Sequence, residues 1–500
     1  MSTEVNYSDV QGLVRFGYGK LKGAKYALAS IKNVGAARSW LQSAPVANAL
    51  GTNPPPSTAL QVAFTAEGLR ALGVSELIVN GFSHEFVSGM IEPSRSRRLG
   101  DVGEENTPSK WHWGGPGKIP HLLLMFFAKS ELLDGFVTET LGASGQEAFD
   151  LQWLYTSDLD GVEPFGFADG ISQPQIDWSQ EREMLAPQVD YTNVAALGEF
   201  LLGYKNEYGK YTDRPLVEAG AASSGLLPAE DAPEKRDLGK NGTYLVMRQL
   251  HQDVARFWKF LSDQTQGDAN EIEKLASAMV GRTRTGDPLV PVQPEPISGL
   301  GPDPDEIRQN QFTYDADPAG ARCPFGAHVR RANPRNTDFP GKPRWLIPKL
   351  ITMLGFGPKG FRDDLMSSVR YHRILRRGRE YGPELTRAAA LASESNDAER
   401  GLHFICLNAN ILRQFEFLQG AWIASTKFSG LTGESDPLLG NRQPIAGCPF
   451  TADFNLPEGA GALRRRVSGL QQFVTVRGGA YLFLPSVRAL RYFAGATGTP

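Results

Sequence analysis

An extended apolar run leads directly into a helical pattern at five places in the chain, and this repeated unit constrains the fold more than any other feature. In one copy, a β-branched and aromatic run from Thr243 to Val246 precedes apolar residues at 254, 257, 258 and 261, the spacing of one helix face. Each copy therefore predicts a strand that feeds an amphipathic helix. The copies are TALQVAFTAEGLRALG (58–73), HLLLMFFAKSELLDGFVTETL (121–141), GTYLVMRQLHQDVARFWKFL (242–261), HFICLNANILRQFEFLQGAWI (403–423) and GGAYLFLPSVRALRYFA (478–494).

The distribution of these units predicts two α+β halves. Two units lie in the first half of the chain and three in the second, on either side of the polar stretch 217–242, whose Gly and Pro content is typical of a connection. We expect an N-terminal half over 1–220 and a C-terminal half over 221–500. Loops longer than about 12–15 residues in a compact protein are usually functional or disordered, so we expect several of the long irregular stretches to wall a pocket. These stretches are 95–118, 285–320 and 425–460.

Composition excludes several classes of protein. The chain has 52 Lys and Arg against 55 Asp and Glu, with no basic tail suited to nucleic acid or an anionic membrane. Its three cysteines, Cys323, Cys406 and Cys448, have no CxxC spacing, which argues against a disulfide framework or a Cys-rich zinc site. The sequence contains no apolar run of about 20 residues and no basic-then-apolar leader. We therefore expect a soluble, cytoplasmic protein with no nucleic-acid or membrane partner.

The chemistry is sought first among seven histidines, none of which has HxxxH or HExxH spacing. A single histidine can still bind an iron whose other ligands come from a porphyrin. His328 has suitable surroundings, because the apolar CPFGA precedes it and Arg330, Arg331 and Arg335 follow it. Arginines such as Arg330 could bind the anionic propionates of a haem. On composition alone, an Arg-rich surface loop with an incidental histidine is an equally good interpretation.

Two other segments contain candidate catalytic groups. In EPFGFADGISQPQ (163–175), Asp169 is set among aromatic residues, which would desolvate its carboxylate, raise its pKa and suit it to proton transfer. Asp-Gly is also a common surface-turn signal, and that interpretation stays open. In RYHRILRRGREYGPE (370–384), the residues around Arg376 alternate like a strand with an inward arginine that would need an anionic partner. A solvated charged face is the alternative.

These three segments together resemble the dye-decolorising peroxidases, in their long, elaborated branch. FGFADGISQP contains the family's GxxDG signature, CPFGAHVRRANPR is similar to its proximal segment, and RILRRGREYG is similar to its distal-arginine segment. The resemblance covers nearly the whole chain, including DVQGLVRFGYGKLKGAKYALASI (9–31) and RRLGDVGEENTPSKWHWGGPG (97–117). The segment PRWLIPKLITMLGFGPKGFRDDL (343–365) resembles the insertion of the long branch.

The resemblance implies a fold and an activity. The fold is two ferredoxin-like α+β units with antiparallel sheets and peripheral helices, with one haem b per chain held mainly by the C-terminal unit. The activity is a haem peroxidase that uses hydrogen peroxide to oxidise dyes, phenolics or similar one-electron donors through a ferryl-oxo intermediate. The implied partners are hydrogen peroxide and small-molecule or dye reductants, and monomer and homodimer both stay open.

The resemblance also assigns roles to the distal and proximal residues. His328 would be the axial ligand of the iron, Asp169 the distal acid and Arg376 the distal arginine, although the register leaves Arg377 as an alternative. Asp436, in GESDPLLGN, resembles the acid that accepts a hydrogen bond from the proximal histidine and makes the iron more electron-rich.

Two further assignments and two alternative functions stay open at this point. Leu402 and Phe404, near HFICLNAN, resemble the apolar pair that lines the distal pocket, but they could equally be ordinary core residues of a strand. One alternative function is a haem-handling or iron-releasing protein of the same fold. The other is a non-catalytic ferredoxin-like binding protein without a cofactor.

Overall fold

The computed structural model describes residues 4–181, 192–294, 297, 299–336, 369–392, 398–443, 452–457 and 464–495 of the 500-residue chain. The predicted insertion at 343–365 and Cys448 lie outside the described residues. No helix in the described part of the chain is long and apolar enough to cross a membrane.

The described strands include one large antiparallel sheet of nine strands and several two-stranded pairs. The strands are β1 (Gly23–Ile31), β2 (Thr58–Phe64), β3 (Leu122–Ala128), β4 (Phe149–Tyr155), β5 (Gln175–Asp177), β6 (Val194–Ala196), β7 (Leu216–Glu218), β8 (Lys235–Asp237), β9 (Thr243–Gln252), β10 (Leu375–Arg376), β11 (Arg379–Tyr381), β12 (Gly401–Asn408), β13 (Asp453–Pro457), β14 (Arg464–Ser468) and β15 (Val474–Leu484).

Helices pack around the large sheet and connect its strands. They are α1 (Leu13–Phe16), α2 (Val34–Ser43), α3 (Ala66–Ala71), α4 (Glu76–Val79), α5 (His84–Ser88), α6 (Pro93–Leu99), α7 (Leu133–Ala148), α8 (Val254–Gln264), α9 (Ala269–Val280), α10 (Pro304–Asn310), α11 (His328–Ala332), α12 (Arg387–Ala392) and α13 (Val487–Gly495). Two π-helical segments, Leu412–Glu416 and Leu418–Ile423, follow β12. All five predicted strand-to-helix units are therefore present.

The large sheet consists of two units with the same strand order. The first unit runs β4-β1-β3-β2 and the second runs β15-β9-β12-β10, with β11 also paired to β12. Numbered within its own unit, each order is 4-1-3-2, the antiparallel arrangement of a ferredoxin-like fold. The units meet where β15 pairs with β2 through Phe483 and Phe64. The predicted α+β class with two ferredoxin-like units is confirmed.

The sequence of strand β3 is an unbroken apolar run, and its position in the sheet explains why. It lies between β1 and β2 and is buried along its whole length, because a hydrophobic core packs on each face of the sheet. Successive side chains of a strand point to opposite faces, so alternate residues enter different cores. One core takes Leu122, Leu124 and Phe126, and the other takes Leu123, Met125 and Phe127.

The connection between the halves contains a small hairpin. Strand β7 pairs antiparallel with β8, so hydrogen bonds link residues on either side of position 220. The sequence-based boundary between 1–220 and 221–500 stays a prediction.

Candidate active site

A cavity of about 320 Å³ lies on one face of the second unit's sheet. Because side chains two residues apart share a face of a strand, β9, β12 and β15 each contribute alternate residues to its floor. The sheet residues that line it are Arg248, Leu250 and Gln252 of β9, Leu402 and Phe404 of β12, and Val474 and Val476 of β15.

Five of the sequence-predicted site residues line this one cavity although they are far apart in the chain. They are Asp169, His328, Arg376, Leu402 and Phe404. Two of the three irregular stretches expected to wall a pocket contribute as well, through residues such as Asp101 and Leu438. No described residue of the third stretch, 285–320, lines the cavity.

His328 forms one side of the cavity and is held by a buried carboxylate. It is the first residue of α11, and its Nδ1 lies 2.9 Å from Oδ2 of Asp436, which has no exposed surface. The other oxygen of Asp436 accepts hydrogen bonds from the backbone N–H groups of Leu438 and Leu439 at 2.9 and 2.8 Å. The His328 side chain is 26% exposed, and its Nε2 has no hydrogen-bond partner among the described residues. The ring nitrogen on the side away from Asp436 is therefore available to a ligand in the cavity.

The charges of this pair support one another. Burial alone would lower the pKa of His328, but the adjacent Asp436 carboxylate outweighs burial and raises it. Burial alone would raise the pKa of Asp436, but the His328 ring and the hydrogen bonds it receives hold that pKa below its ordinary value. The imidazole is thus oriented and made more electron-rich by a carboxylate behind it.

Asp169 and Arg376 form an ion pair that also lines the cavity. The Nη1 of Arg376 donates to Oδ1 of Asp169 at 2.7 Å, and each side chain is 34% exposed. Burial would raise the pKa of Asp169, but the positive charge of Arg376 outweighs burial and lowers it. The sequence-based expectation of a raised pKa is therefore wrong. The aromatic neighbours desolvate the Asp169 carboxylate, but the charge of Arg376, which is remote in the chain, outweighs that effect.

The GxxDG loop needs glycine at both of its glycine positions. Gly166 and Gly170 have φ values of 91° and 74°, which side-chain-bearing residues rarely adopt. A Cβ at Gly166 would also lie 2.6 Å from Nη2 of Arg284. The backbone N–H of Asp169 donates to the carbonyl of Gly161 at 2.9 Å, so the tight turn presents the Asp169 side chain to the cavity.

The structure distinguishes Arg376 from Arg377. Gln173 makes two hydrogen bonds to the backbone of Arg376, accepting from its N–H at 3.0 Å and donating to its carbonyl at 3.2 Å. Arg377 instead donates to the carbonyls of Leu13 and Val14 at 2.8 and 3.0 Å and does not line the cavity. Neighbouring residues of a strand point to opposite faces, so Arg376 alone of the two reaches Asp169.

Arg330, predicted to bind the cofactor, does not line the cavity. Its side chain is about 1% exposed, and its Nη1 donates to Oδ2 of Asp317 at 2.9 Å and to the carbonyl of Cys323 at 2.6 Å. These contacts hold the loop that precedes α11. A part for Arg330 in binding the cofactor stays a prediction; in this structure its guanidinium is bound to Asp317 and to the carbonyl of Cys323.

Arg282 is a buried cation of the cavity that no sequence pattern indicated. It lines the cavity and donates to the carbonyls of Gly286 and Gln309, both at 2.7 Å, and to Oδ1 of Asn310. In the part of the chain that the structure describes, its partners are neutral carbonyl and amide oxygens, and it makes no ion pair with a carboxylate. Burial lowers its pKa to about 10. Nothing in its local sequence, GRTRTGDP, distinguishes it from a surface arginine.

A second and more open depression, of about 650 Å³, lies beside Tyr7 and Trp178. None of the sequence-predicted site residues lines it. The smaller cavity, which contains the convergent ionisable groups, is therefore the candidate active site.

No family model matches the chain, but several known proteins are similar to it in sequence. A dye-decolorising peroxidase of Mycena epipterygia is 30% identical over 89% of this chain and 78% of its own length. Peroxidase 2 of Mycetinis scorodonius is 30% identical over 98% of this chain and 88% of its own length.

A solved structure shares the fold over nearly the whole chain. The crystal structure of a fungal DyP-type peroxidase from Auricularia auricula-judae matches with a TM-score of 0.70 at 27% identity, covering 99% of this chain and 100% of that chain. The strand order, the cavity and the sequence relatives agree, and this chain belongs to the dye-decolorising peroxidase family of oxidoreductases.

Proposed function

We propose that this peroxidase acts on hydrogen peroxide in the cavity between His328 and the ion pair of Asp169 and Arg376. The observation that carries the proposal is the arrangement of these groups in one space. A carboxylate-backed imidazole lines the cavity together with an ionised carboxylate that is paired with a guanidinium. Such a set offers a ligand for a metal, a base for a peroxide proton and a cation for developing negative charge.

The residues present fit a haem. Within the described ranges, no group of three or more His, Cys, Asp or Glu side chains is placed to hold a metal ion, so His328 would be the protein's single ligand. The floor supplies apolar contacts through residues such as Leu250, Leu402 and Phe404. Arg282 supplies a buried cation suited to an anionic propionate. When bound, haem would supply the iron centre that accepts oxidising equivalents from peroxide and passes them to a donor.

The protein's own groups have separate tasks in this proposal. Asp169 is ionised at neutral pH, so its carboxylate can take a proton from one peroxide oxygen and return it to the other, which then leaves as water. Arg376 stabilises the negative charge that develops on the departing oxygen. Asp436 keeps the Nδ1 of His328 engaged, so Nε2 is the nitrogen that would hold the iron.

The proposed electron donors are dyes, phenolics and similar one-electron reductants. Support comes from the curated relatives, which are named dye-decolorising peroxidases. The proposed cofactor is one haem b per chain, for which His328 is the candidate protein ligand. A cytoplasmic location is also part of the proposal, and it is supported by the unpaired, buried thiols of Cys323 and Cys406.

The test is the absorption spectrum of wild type and His328→Ala before and after a stoichiometric addition of hydrogen peroxide. Wild type should show a Soret band that peroxide converts to an oxidised spectrum, and the variant should lose or strongly alter that band. His251→Ala is the matched control, because His251 lies on β9 outside the cavity lining and should leave the spectrum unchanged. Equal haem binding by wild type and His328→Ala would contradict the ligand assignment. A Soret band that does not change when peroxide is added would favour a haem-handling protein.

A further inference from the structure

Glu163 folds its carboxylate back onto the loop that carries Asp169. One carboxylate oxygen accepts from the backbone N–H of Phe165 and the other from that of Phe167, both at 3.0 Å. The backbone closes the same turn, because the N–H of Glu163 donates to the carbonyl of Phe167 at 2.8 Å. The side chain and main chain of one residue therefore define the shape of the turn that leads to Asp169.

Gln252 connects this turn to the sheet. Its Nε2 donates to Oε2 of Glu163 at 2.7 Å, and its own backbone is paired with Val474 in the sheet. Glu163 and Gln252 both line the cavity that contains Asp169. The Glu163 carboxylate thus links the loop that carries Asp169 to strand β9 of the cavity floor.

Burial at this position makes the ionised form of the Glu163 carboxyl group unfavourable. Burial, with a smaller contribution from the charge of Asp169, raises the pKa of Glu163 to about 7 although three hydrogen bonds oppose the rise. An amide at this position would avoid the charge, but in the same conformation its NH2 group, which cannot accept, would face either the N–H of Phe167 or the donors of Phe165 and Gln252. The geometry therefore requires the acceptor at both ends that only a carboxylate provides.

We propose that Glu163 is a positioning residue for Asp169. By accepting from Phe165, Phe167 and Gln252, its carboxylate holds the loop against β9 and keeps Asp169 within reach of Arg376 and of peroxide. This inference rests on the proposed function, because it gives Asp169 a task in the peroxide step.

A double-mutant cycle on the holoenzyme tests it. Glu163→Gln should lower the rate constant for reaction with peroxide by about 10- to 100-fold, the cost of a misplaced catalytic group. In the Asp169→Asn background the same change should have almost no further effect, because Glu163 acts through Asp169. An equal loss in both backgrounds would overturn the inference. If Asp169→Asn by itself reacted at the wild-type rate, the proposed function of Asp169 would fail first.

The affinity of the ferric haem protein for fluoride can be measured in the same four variants of the double-mutant cycle, and it needs no turnover. Fluoride affinity should fall in Glu163→Gln when Asp169 is present and stay unchanged between the two variants that lack it. The swapped variant Glu163→Gln with Gln252→Glu restores the contact between the two side chains but leaves the loop with one acceptor too few. It should stay as slow as Glu163→Gln, and recovery of the wild-type rate would contradict the role of the loop contacts.

Two further variants complete the test. Glu230→Gln is the matched control, since Glu230 accepts from Lys240 and Tyr211 at 2.6 and 2.8 Å but does not line the cavity. It should react at the wild-type rate, and a loss like that of Glu163→Gln would overturn the inference. If Glu163→Gln does not bind haem, Gln252→Leu removes the tie to β9 from the other end. Its loss of rate should vanish in the Asp169→Asn background, and persistence there would count against the inference.

Discussion

At the scale of single residues, the charges around Asp169 decide how it can act. Burial and the Arg376 charge shift its pKa in opposite directions, and the arginine prevails. Asp169 therefore stays ionised in neutral solution and well into the acid range. A proton acceptor that is ready at neutral pH suits removal of a proton from peroxide better than a neutral acid would.

The pH dependence of the peroxide step follows from this balance. The rate should hold from neutral pH downward and fall as the pH drops through the lowered pKa of Asp169. Arg376→Leu removes the lowering charge, so the acid limb should move upward by about 1–3 pH units. The stability contributed by the ion pair should be present above the unfolded pKa of Asp169 and lost over the same acid range.

Stopped-flow rate constants measured against pH check this prediction. Arg377→Leu is the control, because it removes a neighbouring arginine that binds backbone carbonyls away from Asp169. It should leave the acid limb where wild type has it. Coincident limbs in wild type and Arg376→Leu would show that Arg376 does not control the charge of Asp169.

At the scale of elements, the loop from Glu163 to Gly170 is a short connection whose geometry is defined by its own contacts. Its glycines allow the tight turn, the Glu163 carboxylate closes it, and Gln252 ties it to β9. Arg376, on β10, approaches from a different part of the chain and is bound to Gln173 beyond the loop. The site therefore forms where a constrained loop meets the edge of the second unit's sheet.

Alanine substitutions at the two glycines should have unequal effects. Both replace a residue of positive φ, which costs about 1–2 kcal/mol of stability. At Gly166 the new Cβ would also displace the Arg284 guanidinium from its contacts with Glu273 and Trp258, whereas at Gly170 no atom beyond the chain neighbours lies within 4 Å. Gly166→Ala should therefore unfold at a lower temperature than Gly170→Ala and react more slowly with peroxide. Calorimetry and peroxide kinetics on both variants give the comparison, and equal melting temperatures would contradict it.

At the scale of the whole molecule, the two units are joined by a narrow seam. Only Phe483 and Phe64 pair between β15 and β2 in the described sheet, but both rings are fully buried. The ring of Phe483 lies 4.8 Å from that of Phe82 in the first unit, and the ring of Phe64 lies 5.8 Å from that of Phe493, which belongs to α13 of the second unit. Aromatic packing across the seam therefore replaces the hydrogen bonds that a longer pairing would supply.

Phe483→Ala should destabilise both units together. Removing a buried phenylalanine leaves a cavity and costs about 3–5 kcal/mol. Phe16→Ala, at a partly exposed position on α1, should change stability by about 0.5 kcal/mol or less. Chemical denaturation followed by tryptophan fluorescence and by far-UV circular dichroism measures both. Separate transitions in Phe483→Ala, with one unit unaffected, would show that the seam does not couple the units.

The sequence by itself determined the strand-to-helix units, because apolar periodicity depends only on neighbouring residues. It also located the segments that carry Asp169, His328 and Arg376, since each combines an ionisable group with distinctive neighbours. The resemblance supplied the pairing of His328 with Asp436, 108 residues apart, and the structure places the two groups in contact.

The tertiary structure decided which cations face the cavity and what charge Asp169 carries. Arg330 and Arg282 both lie in Arg-containing stretches, yet one is enclosed by Asp317 and Cys323 and the other reaches the cavity. The pKa of Asp169 depends on an arginine 207 residues away. Direction of a side chain and distance between charges arise only when remote segments pack together, and no local pattern records them.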